Sequence, residues 1–552
     1  MDTDLTTKLL GDTEEHPSAD PLFIGDIDAT TRRGDEPIAI QVDDQDAADD
    51  ENDEGDNKKA PAPELPDLIL DPQEVFDGQD YTRGERQPNA CRDFPFAFLW
   101  YVQLIAIVVL AVKWGIPALA PHHHHHEDDD KHDSTDDDDT YSYTGLVYFT
   151  LVSGASSALL SGVTMAVFAH FGRYLIQLSL LFSVFASFGM AVLAAIEGNV
   201  VLAVLSLVGF LVGCCYYFAV SERIPFAAAN LSAGVTAVRN NGGVVLIAYF
   251  CVLLVFVFST VWTLALIGVA DKSTSCSDGD SDCNNSMNEG LVFALLVSLF
   301  WSQQVISNVV HATVAGVVGT WWFANEEASS FCSPAVAESF LRSTTTSFGS
   351  ICFGSLLTAI IKALRQMVQS ARNDDRRSDG NGILLCLAEC VLACLEGIMQ
   401  YFNKYAFIYC SLYGYDYLTA GRNVLSLFNA RGWTVIINDD MVQNCLLLSC
   451  LVLSCLSGCA GMLICFIQGG SWLDALIASD DDAPNTFVAA FLIAFILGLI
   501  ISSILMGVID SAVSTAIVCF AESPSDLHTN HPELYEEMVS AWRNVYPNDC
   551  GF

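Results

Sequence analysis

"FWSQQVISNVVHATVAGVVGTWWF" occupies residues 300–323 and continues an apolar run that begins near residue 289. Together with its upstream part it can cross the ~30 Å hydrocarbon core of a bilayer, which needs about 20 apolar residues. Polar side chains are costly in lipid, yet this segment carries Gln304, Asn308 and His311. The stretch therefore predicts a transmembrane helix with one face turned away from lipid.

Comparable apolar runs recur along the 552-residue chain, which is 52% hydrophobic and has a mean hydropathy of +0.40. Backbone polar groups in lipid must be satisfied within the segment, so these runs predict helices and an all-α polytopic membrane protein. Amphipathic helices are predicted near 222–238 and, after a half-membrane helix, within 402–440. We predict about ten transmembrane helices, near residues 95–119, 145–170, 173–196, 199–220, 243–270, 289–318, 346–369, 382–401, 441–468 and 486–520.

The net charge of −41 is concentrated outside the apolar runs. Residues 1–93 hold 27 Asp and Glu against 8 Lys and Arg, with few aromatic residues. Such a segment cannot bury enough apolar surface to offset its ordering entropy, so we predict a disordered cytosolic tail. Its acidity argues against nucleic acid or anionic lipid as a partner. The predicted organisation is this tail, a transmembrane domain over 94–521 and a short cytosolic tail over 522–552.

Loop chemistry gives the predicted orientation. Ten spans put both termini on one side, and the arginines between the fourth and fifth spans favour the cytosol there. The loop 271–288 then faces outward, where Asn284 fits an N-glycosylation pattern. Cys276 and Cys283 are predicted to close a small disulfide in that compartment. The stretch 371–381 conflicts, because simple spans place its three arginines outside. Either one of the sixth to eighth spans is re-entrant or broken, or the charge rule fails here.

A histidine-rich tract at 121–140 holds six histidines among nine acidic residues. Such a tract can bind borderline metals loosely, but we predict a low-complexity outer loop without a metal site. The sequence shows no Walker loop, Rossmann glycine pattern, HExxH or GxSxG motif. We therefore expect neither an enzyme nor a cofactor, and any transport is expected to be secondary or facilitative.

Helical periodicity puts Trp301, Gln304, Asn308 and His311 on one stripe of the 300–323 helix. Two interpretations stay open. The polar groups either join neighbouring helices by hydrogen bonds, or they line a substrate path through the bundle.

Other side chains in the spans also carry potential chemistry. Trp321 and Trp322 end their span either as an interfacial aromatic belt or as a wall that contacts a cation. Glu389 and Asp510 are carboxylates inside spans and are candidates for substrate or proton work. The alternative is structural pairing, with Lys362, Arg365 or Lys404 as partners of Asp510.

Four blocks, in order along the chain, are similar to those of one known family of membrane proteins. The first is "FW" at 300–301 with "AGVVGTWWF" at 315–323, and the second is "SFGSICFGSLLTAIIKALR" at 347–365. The third, "FNKYAFIYCSLYGYDYLTAGRN" at 402–423, has Phe407 where the family block usually has tyrosine. The fourth is "VIDSAVSTAIVCFAES", which contains Asp510.

With these four blocks the chain resembles the choline transporter-like family, most strongly over 289–525, and it is similar to the fungal or protist members. It implies a carrier of choline or a related amine such as ethanolamine, in the plasma membrane or an organelle membrane. The substrate site that we predict combines the polar stripe with an aromatic cage for the cation: Trp301, Gln304, Asn308, His311, Trp321, Trp322, Tyr405, Tyr409 and Tyr413. The alternative function is a non-transporting scaffold or lipid-handling regulator of the same family.

Overall fold

The computed structural model describes residues 84–119, 144–274, 289–375, 382–431, 435–468 and 486–545. Every regular secondary-structure element in these ranges is a helix. A π-helical turn, Ala111–Gly115, and a last turn, Ile116–Leu119, prolong the first helix. The helices are α1 (Phe94–Leu110), α2 (Thr144–Ile196), α3 (Val200–Val220), α4 (Ile224–Asn240), α5 (Gly243–Thr274), α6 (Glu289–Phe323), α7 (Pro334–Thr344), α8 (Phe348–Asp375), α9 (Gly382–Tyr413), α10 (Tyr417–Arg431), α11 (Val435–Ile467), α12 (Thr486–Glu522), α13 (Pro524–Asn530) and α14 (Pro532–Val545).

Nine stretches of these helices have the length and hydropathy that a bilayer crossing requires. The prediction of an all-α polytopic membrane protein is confirmed. The predicted span 145–170, which is not among the nine, forms the first half of α2. Phe171 interrupts α2 with φ −123° and ψ 15°. A straight helix of 53 residues would be about 80 Å long. The break separates the predicted span 145–170, which stays a prediction, from the stretch His170–Ile196, which is among the nine.

The prediction for residues 382–440 needs a correction. We expected the eighth span to end at 401, before a separate half-membrane helix. Instead α9 runs unbroken to Tyr413 and ends at Gly414, whose φ of +74° favours glycine. Lys404 lies within this helix because its ammonium is paired with a carboxylate. The amphipathic helix that we predicted next is α10.

Helices α6, α8 and α9, which correspond to the sixth to eighth spans, are all continuous. The re-entrant or broken alternative is therefore wrong for these spans, and the exception to the charge rule stays a prediction. The acidic tail up to residue 83, the histidine tract at 121–140, Asn284, Cys276 and Cys283 lie outside the described residues and stay predictions.

One end of the bundle, here called the terminal face, carries both described chain ends. Residues 84–93, which we assigned to the disordered tail, form an extended strap there. The Gly84 N–H donates to Glu522 Oε1 at 2.7 Å, and the Gln87 N–H donates to the Tyr413 carbonyl at 2.7 Å. The predicted disordered tail therefore extends too far toward the C-terminus, because residues 84–93 are hydrogen-bonded to the helices.

The other parts of the terminal face are amphipathic helices. Helix α7, which we did not predict, and α4 lie between spans, and α13 and α14 fold back from the end of α12. Asn530 Nδ2 donates to the Trp322 carbonyl at 2.8 Å and fastens this C-terminal segment to α6. The terminal face is thus covered by several packed elements.

Helices α1 and α5 approach each other closely where glycine faces glycine. A Cβ atom added at Gly268 would meet the backbone of Gly115 and Trp114, and one added at Gly115 would meet the Leu264 carbonyl. Small residues allow transmembrane backbones to come this near. The crossing fixes the position of α5, which forms one wall of the site described next.

Candidate functional site

A cavity of about 700 Å³ lies between α5, α6, α9 and α12, at the middle of the bundle. Its size falls in the range typical of small-molecule sites. Helix α5 supplies apolar side chains, and the other three helices supply the polar groups. Its polar lining includes the side chains of Gln304, Asn308, His311, Gln400, Asn403, Lys404, Asp510 and Ser511.

His311 joins three of the four helices. Its Nε2 lies 2.7 Å from the Lys404 carbonyl on α9, and its Nδ1 lies 2.8 Å from Ser511 Oγ on α12. A carbonyl oxygen only accepts, so Nε2 carries a proton and donates to it. In the neutral imidazole Nδ1 is then an acceptor, and the Ser511 hydroxyl can donate either to it or to the Gly507 carbonyl, which lies 2.9 Å away. One side chain thus fixes the spacing of α6, α9 and α12.

Lys404 and Asp510 form an ion pair in the wall of the cavity. Lys404 Nζ lies 3.0 Å from Asp510 Oδ1, with 15% and 26% of the two side chains exposed. Of the three pairing partners considered for Asp510, the structure therefore selects Lys404. The pair makes no net contribution to the charge of the cavity.

A second polar chain ties the cavity to α8 and the strap. Asn403 Nδ2 donates to the Gly354 carbonyl at 2.9 Å and to Thr358 Oγ1 at 2.8 Å. The Tyr417 hydroxyl donates to Asn403 Oδ1, and the Tyr417 N–H donates to Asp93 Oδ2 at 3.1 Å. A substrate at Asn403 would therefore touch a network that reaches the terminal face.

Burial rises sharply from the cavity toward the terminal face. Residues 311–322 of α6, 405–413 of α9 and 511–522 of α12 are all buried. On the opposite side the cavity is lined by exposed residues, including Ser307 and Gln400. The cavity is thus sealed toward the terminal face and accessible away from it.

The predicted polar stripe and the predicted aromatic cage lie in different places. Gln304, Asn308 and His311 line the cavity, and Asn308 Nδ2 also donates to Ser355 Oγ at 2.9 Å. Among the described lining residues there is no Phe, Tyr or Trp, and the imidazole of His311 is the only aromatic ring. Trp301, on the same stripe, is buried and donates from Nε1 to the Cys352 carbonyl at 2.9 Å.

The remaining aromatic residues of the predicted cage are buried in the seal. Trp322 Nε1 donates to the Ser523 carbonyl at 3.0 Å, and Trp321 stacks on His531 with ring centroids 4.0 Å apart. Burial lowers the pKa of His531, which favours the neutral ring in this stack. Trp321 and Trp322 are therefore not an exposed interfacial belt.

Tyr405, Tyr409 and Tyr413 follow one another along the buried end of α9. The ring of Tyr405 lies 4.8 Å from that of Phe428, and the rings of Tyr409 and Tyr413 are 5.3 Å apart. The structure thus brings these tyrosines together as packing residues between α9 and its neighbours. It does not bring them to the cavity.

Glu389 lies apart from the cavity as well. Its Oε2 is 2.6 Å from Arg372 Nη1, which links α9 to α8. Glu396, about two turns further along α9 on the same face, is 2.7 Å from Arg365 and 3.9 Å from Lys362. Both carboxylates therefore have cationic partners on α8, in the half of the bundle away from the terminal face.

Glu389→Gln is expected to change the rate of substrate uptake less than about twofold. The pair with Arg372 is partly exposed, and such pairs are worth about 0–1 kcal/mol. Initial uptake rates at several pH values would check this. A loss of uptake or of its pH response would instead support a coupling role for Glu389.

Four of these polar cavity residues were missed as site residues: Gln400, Asn403, Lys404 and Ser511. Lys404 had a usable signal, because a lysine inside an apolar stretch is as unusual as Asp510. Ser511 directly follows Asp510, but a serine in a membrane helix often bonds only its own backbone. Its contact with His311, two hundred positions earlier, depends on tertiary structure.

Comparison with known proteins adds a family match. The model described as "Plasma-membrane choline transporter" matches residues 202–525. The match begins well before residue 289, where we expected its strong part to start. It therefore includes α5 and all four walls of the cavity.

Fungal proteins are among the similar sequences. Protein PNS1 of Cryptococcus neoformans is 30% identical over 410 residues, covering 73% of this chain and 72% of the relative. Protein PNS1 of Mycosarcoma maydis is 30% identical over 406 residues, covering 72% of this chain and 73% of the relative. Protein PNS1 of Candida albicans is 24% identical over 476 residues, covering 81% and 88%.

Proposed function

Because the chain belongs to the choline transporter-like family, we propose that it is a secondary or facilitative transporter of choline or a related organic cation. The observation that carries the proposal is a cavity of about 700 Å³ at mid-bundle that contains a carboxylate, Asp510. Transporters commonly bind substrate near the bilayer midplane between helices. The family membership supports a membrane transporter, and the choice of substrate is our proposal.

The proposed contacts come from the cavity wall. Asp510 supplies the negative charge for an ammonium group, and Gln304, Asn308 and Asn403 supply hydrogen-bonding groups for a hydroxyl. His311 holds α6, α9 and α12 at the spacing that these contacts need. The six aromatic residues of the predicted cage are left out of the proposed site, because they pack elsewhere.

The proposed transport cycle follows from the side of the bundle on which the cavity is closed, which is the terminal face. We assign the terminal face to the cytosol, as the loop arginines predict, so the described conformation faces outward. Substrate would reach the cytosol only after the buried ends of α6, α9 and α12 separate. We place the protein in the plasma membrane, in line with the description of the matching family.

The test is uptake into proteoliposomes that contain the purified full-length chain. We expect saturable uptake of radiolabelled choline without ATP, and competition by excess unlabelled choline. Protein-free liposomes are the control for leakage. Absence of saturable uptake of choline and of ethanolamine, with an intact fold in detergent, would overturn the proposal and favour a scaffold or lipid-handling protein.

A further inference from the structure

The charges that line the cavity cancel. Among its described lining residues only Lys404 and Asp510 carry formal charges if His311 is neutral, and their side chains meet at 3.0 Å. Both side chains remain partly exposed, at 15% and 26%. The carboxylate that would attract an organic cation is therefore occupied by the protein's own ammonium group.

The cavity offers a cation no second attractive surface of the usual kind. Recognition of alkylammonium groups commonly uses the faces of Trp, Tyr or Phe, and none of these three residue types is found among the described lining residues. The remaining lining groups are amides, hydroxyls, a thiol, aliphatic side chains and the His311 imidazole, whose two nitrogens are both hydrogen-bonded. A bound organic cation thus has one strong electrostatic partner available, which is Asp510.

We propose that substrate binds by cation exchange: its ammonium group replaces Lys404 at Asp510. This inference rests on the proposed transport function and names the residue that sets its charge selectivity. Lys404 acts as an internal competitor that keeps the empty cavity neutral. A neutral molecule of the same shape cannot displace it, because it gains nothing from the carboxylate.

Replacement of Lys404 by substrate affects α9 and α12 directly, and these are two of the helices whose buried ends must separate. Lys404 also provides the carbonyl that accepts from His311, and Ser511, next to Asp510, holds the other nitrogen of the same ring. Release of the lysine side chain removes the direct ionic link between α9 and α12 and leaves His311 as their bridge. Substrate occupancy is thereby coupled to the contact between two helices of the seal.

Lys404→Gln separates this mechanism from a structural role. Without the internal competitor the apparent KM for choline should fall about fivefold, corresponding to about 1 kcal/mol for a partly exposed pair. The turnover rate should fall as well, because substrate then leaves a carboxylate that has no replacement cation. A purely structural lysine would instead lower the amount of folded protein and leave KM unchanged.

The matched control is Lys362→Gln. This lysine lies on α8, is 3.9 Å from Glu396 and is not among the cavity lining, so KM and turnover should stay near wild type. Selectivity gives a second readout. Inhibition of choline uptake by 3,3-dimethylbutan-1-ol, the uncharged isostere of choline, should stay weak in wild type and in Lys404→Gln.

A double variant keeps the proposal testable where Lys404→Gln does not fold. Lys404→Gln with Asp510→Asn removes both charges together, which avoids leaving one of them unpaired in the bilayer. Equilibrium binding of choline and of its uncharged isostere to this variant should no longer differ by more than about twofold. A wild-type preference for choline in the double variant would show that Asp510 is not the cation site.

The outcomes separate the two proposals. Wild-type protein that neither binds nor transports any amine contradicts the transport function itself. Wild-type protein that transports choline, with Lys404→Gln unchanged in both KM and turnover, contradicts only the exchange. A lower KM together with slower turnover supports both.

Discussion

Alanine at position 311 should reduce saturable choline uptake by about ten- to hundredfold. His311→Ala removes two hydrogen bonds that connect α6 with α9 and α12. Such bonds between membrane helices are worth about 0.6–2 kcal/mol each, and about 1.4 kcal/mol corresponds to a factor of ten. The loss should appear mainly in uptake, because these helices position Lys404 and Asp510 against each other.

One control changes another residue of α6, and the other makes a milder substitution at position 311. Thr313→Val removes a bond within α6 only, from Oγ1 to the Val309 carbonyl, and should transport like wild type. His311→Gln keeps an N–H that can reach the Lys404 carbonyl, so we expect partial recovery. Uptake is measured in proteoliposomes, with the melting temperature in detergent as the check on folding. Wild-type uptake by a folded His311→Ala protein would contradict the role of the three-helix junction.

The polar face of α6 could be read from the sequence because helical periodicity is a local property. Gln304, Asn308 and His311 recur at helical spacing in an apolar run, and lipid penalises such a face unless it is buried or wet. The structure places all three at the cavity. The interpretation that polar groups join neighbouring helices is confirmed for His311. The interpretation that they line a substrate path stays a prediction, and all three side chains line the cavity.

Trp301 shows the limit of the same argument. It shares the stripe, yet it packs against α1 and α8 near Phe348 and Ile351. Periodicity assigns a face to a helix, but neighbouring helices decide which part of that face meets a cavity. Those neighbours come from distant parts of the chain.

The aromatic cage was unpredictable for a related reason. Trp321 stacks on His531, 210 positions later, and Trp322 is bonded to Ser523. Aromatic residues near the end of a span suit an interfacial belt on composition alone. Here the C-terminal segment folds back over that end, and nothing in the local pattern around Trp321 indicates such a cover.

Span prediction succeeded where hydropathy was uniform and erred where a charge interrupted it. Lys404 suggested a break in the eighth span, since an isolated ammonium group in lipid is expensive. The helix continues because Asp510, 106 positions later, supplies the counter-charge. The sequence alone thus named three candidate partners for Asp510 but could not decide between them, because the pairing depends on tertiary structure.

Leucine in place of Gly268 should prevent assembly of the bundle around α1 and α5. The added side chain would meet backbone atoms of Gly115 and Trp114, which have no rotamer by which to move away. Overpacking typically costs about 1–3 kcal/mol, and a backbone collision belongs at or above the upper end. We expect a free energy of unfolding lower by about 3 kcal/mol or more.

Gly209→Leu is the matched control for this variant. Gly209 lies on α3, is exposed, and has no neighbour within 4 Å of an added Cβ, so the new side chain would face lipid at little cost. Size-exclusion profiles and thermal unfolding in detergent, followed for both variants beside wild type, provide the comparison. A Gly268→Leu protein as monodisperse and as heat-stable as Gly209→Leu would mean that α1 and α5 do not cross at this contact. The wall that α5 gives to the cavity would then need another support, because the glycine crossing is what brings α5 against α1 while its Cys251 and Val255 face the site.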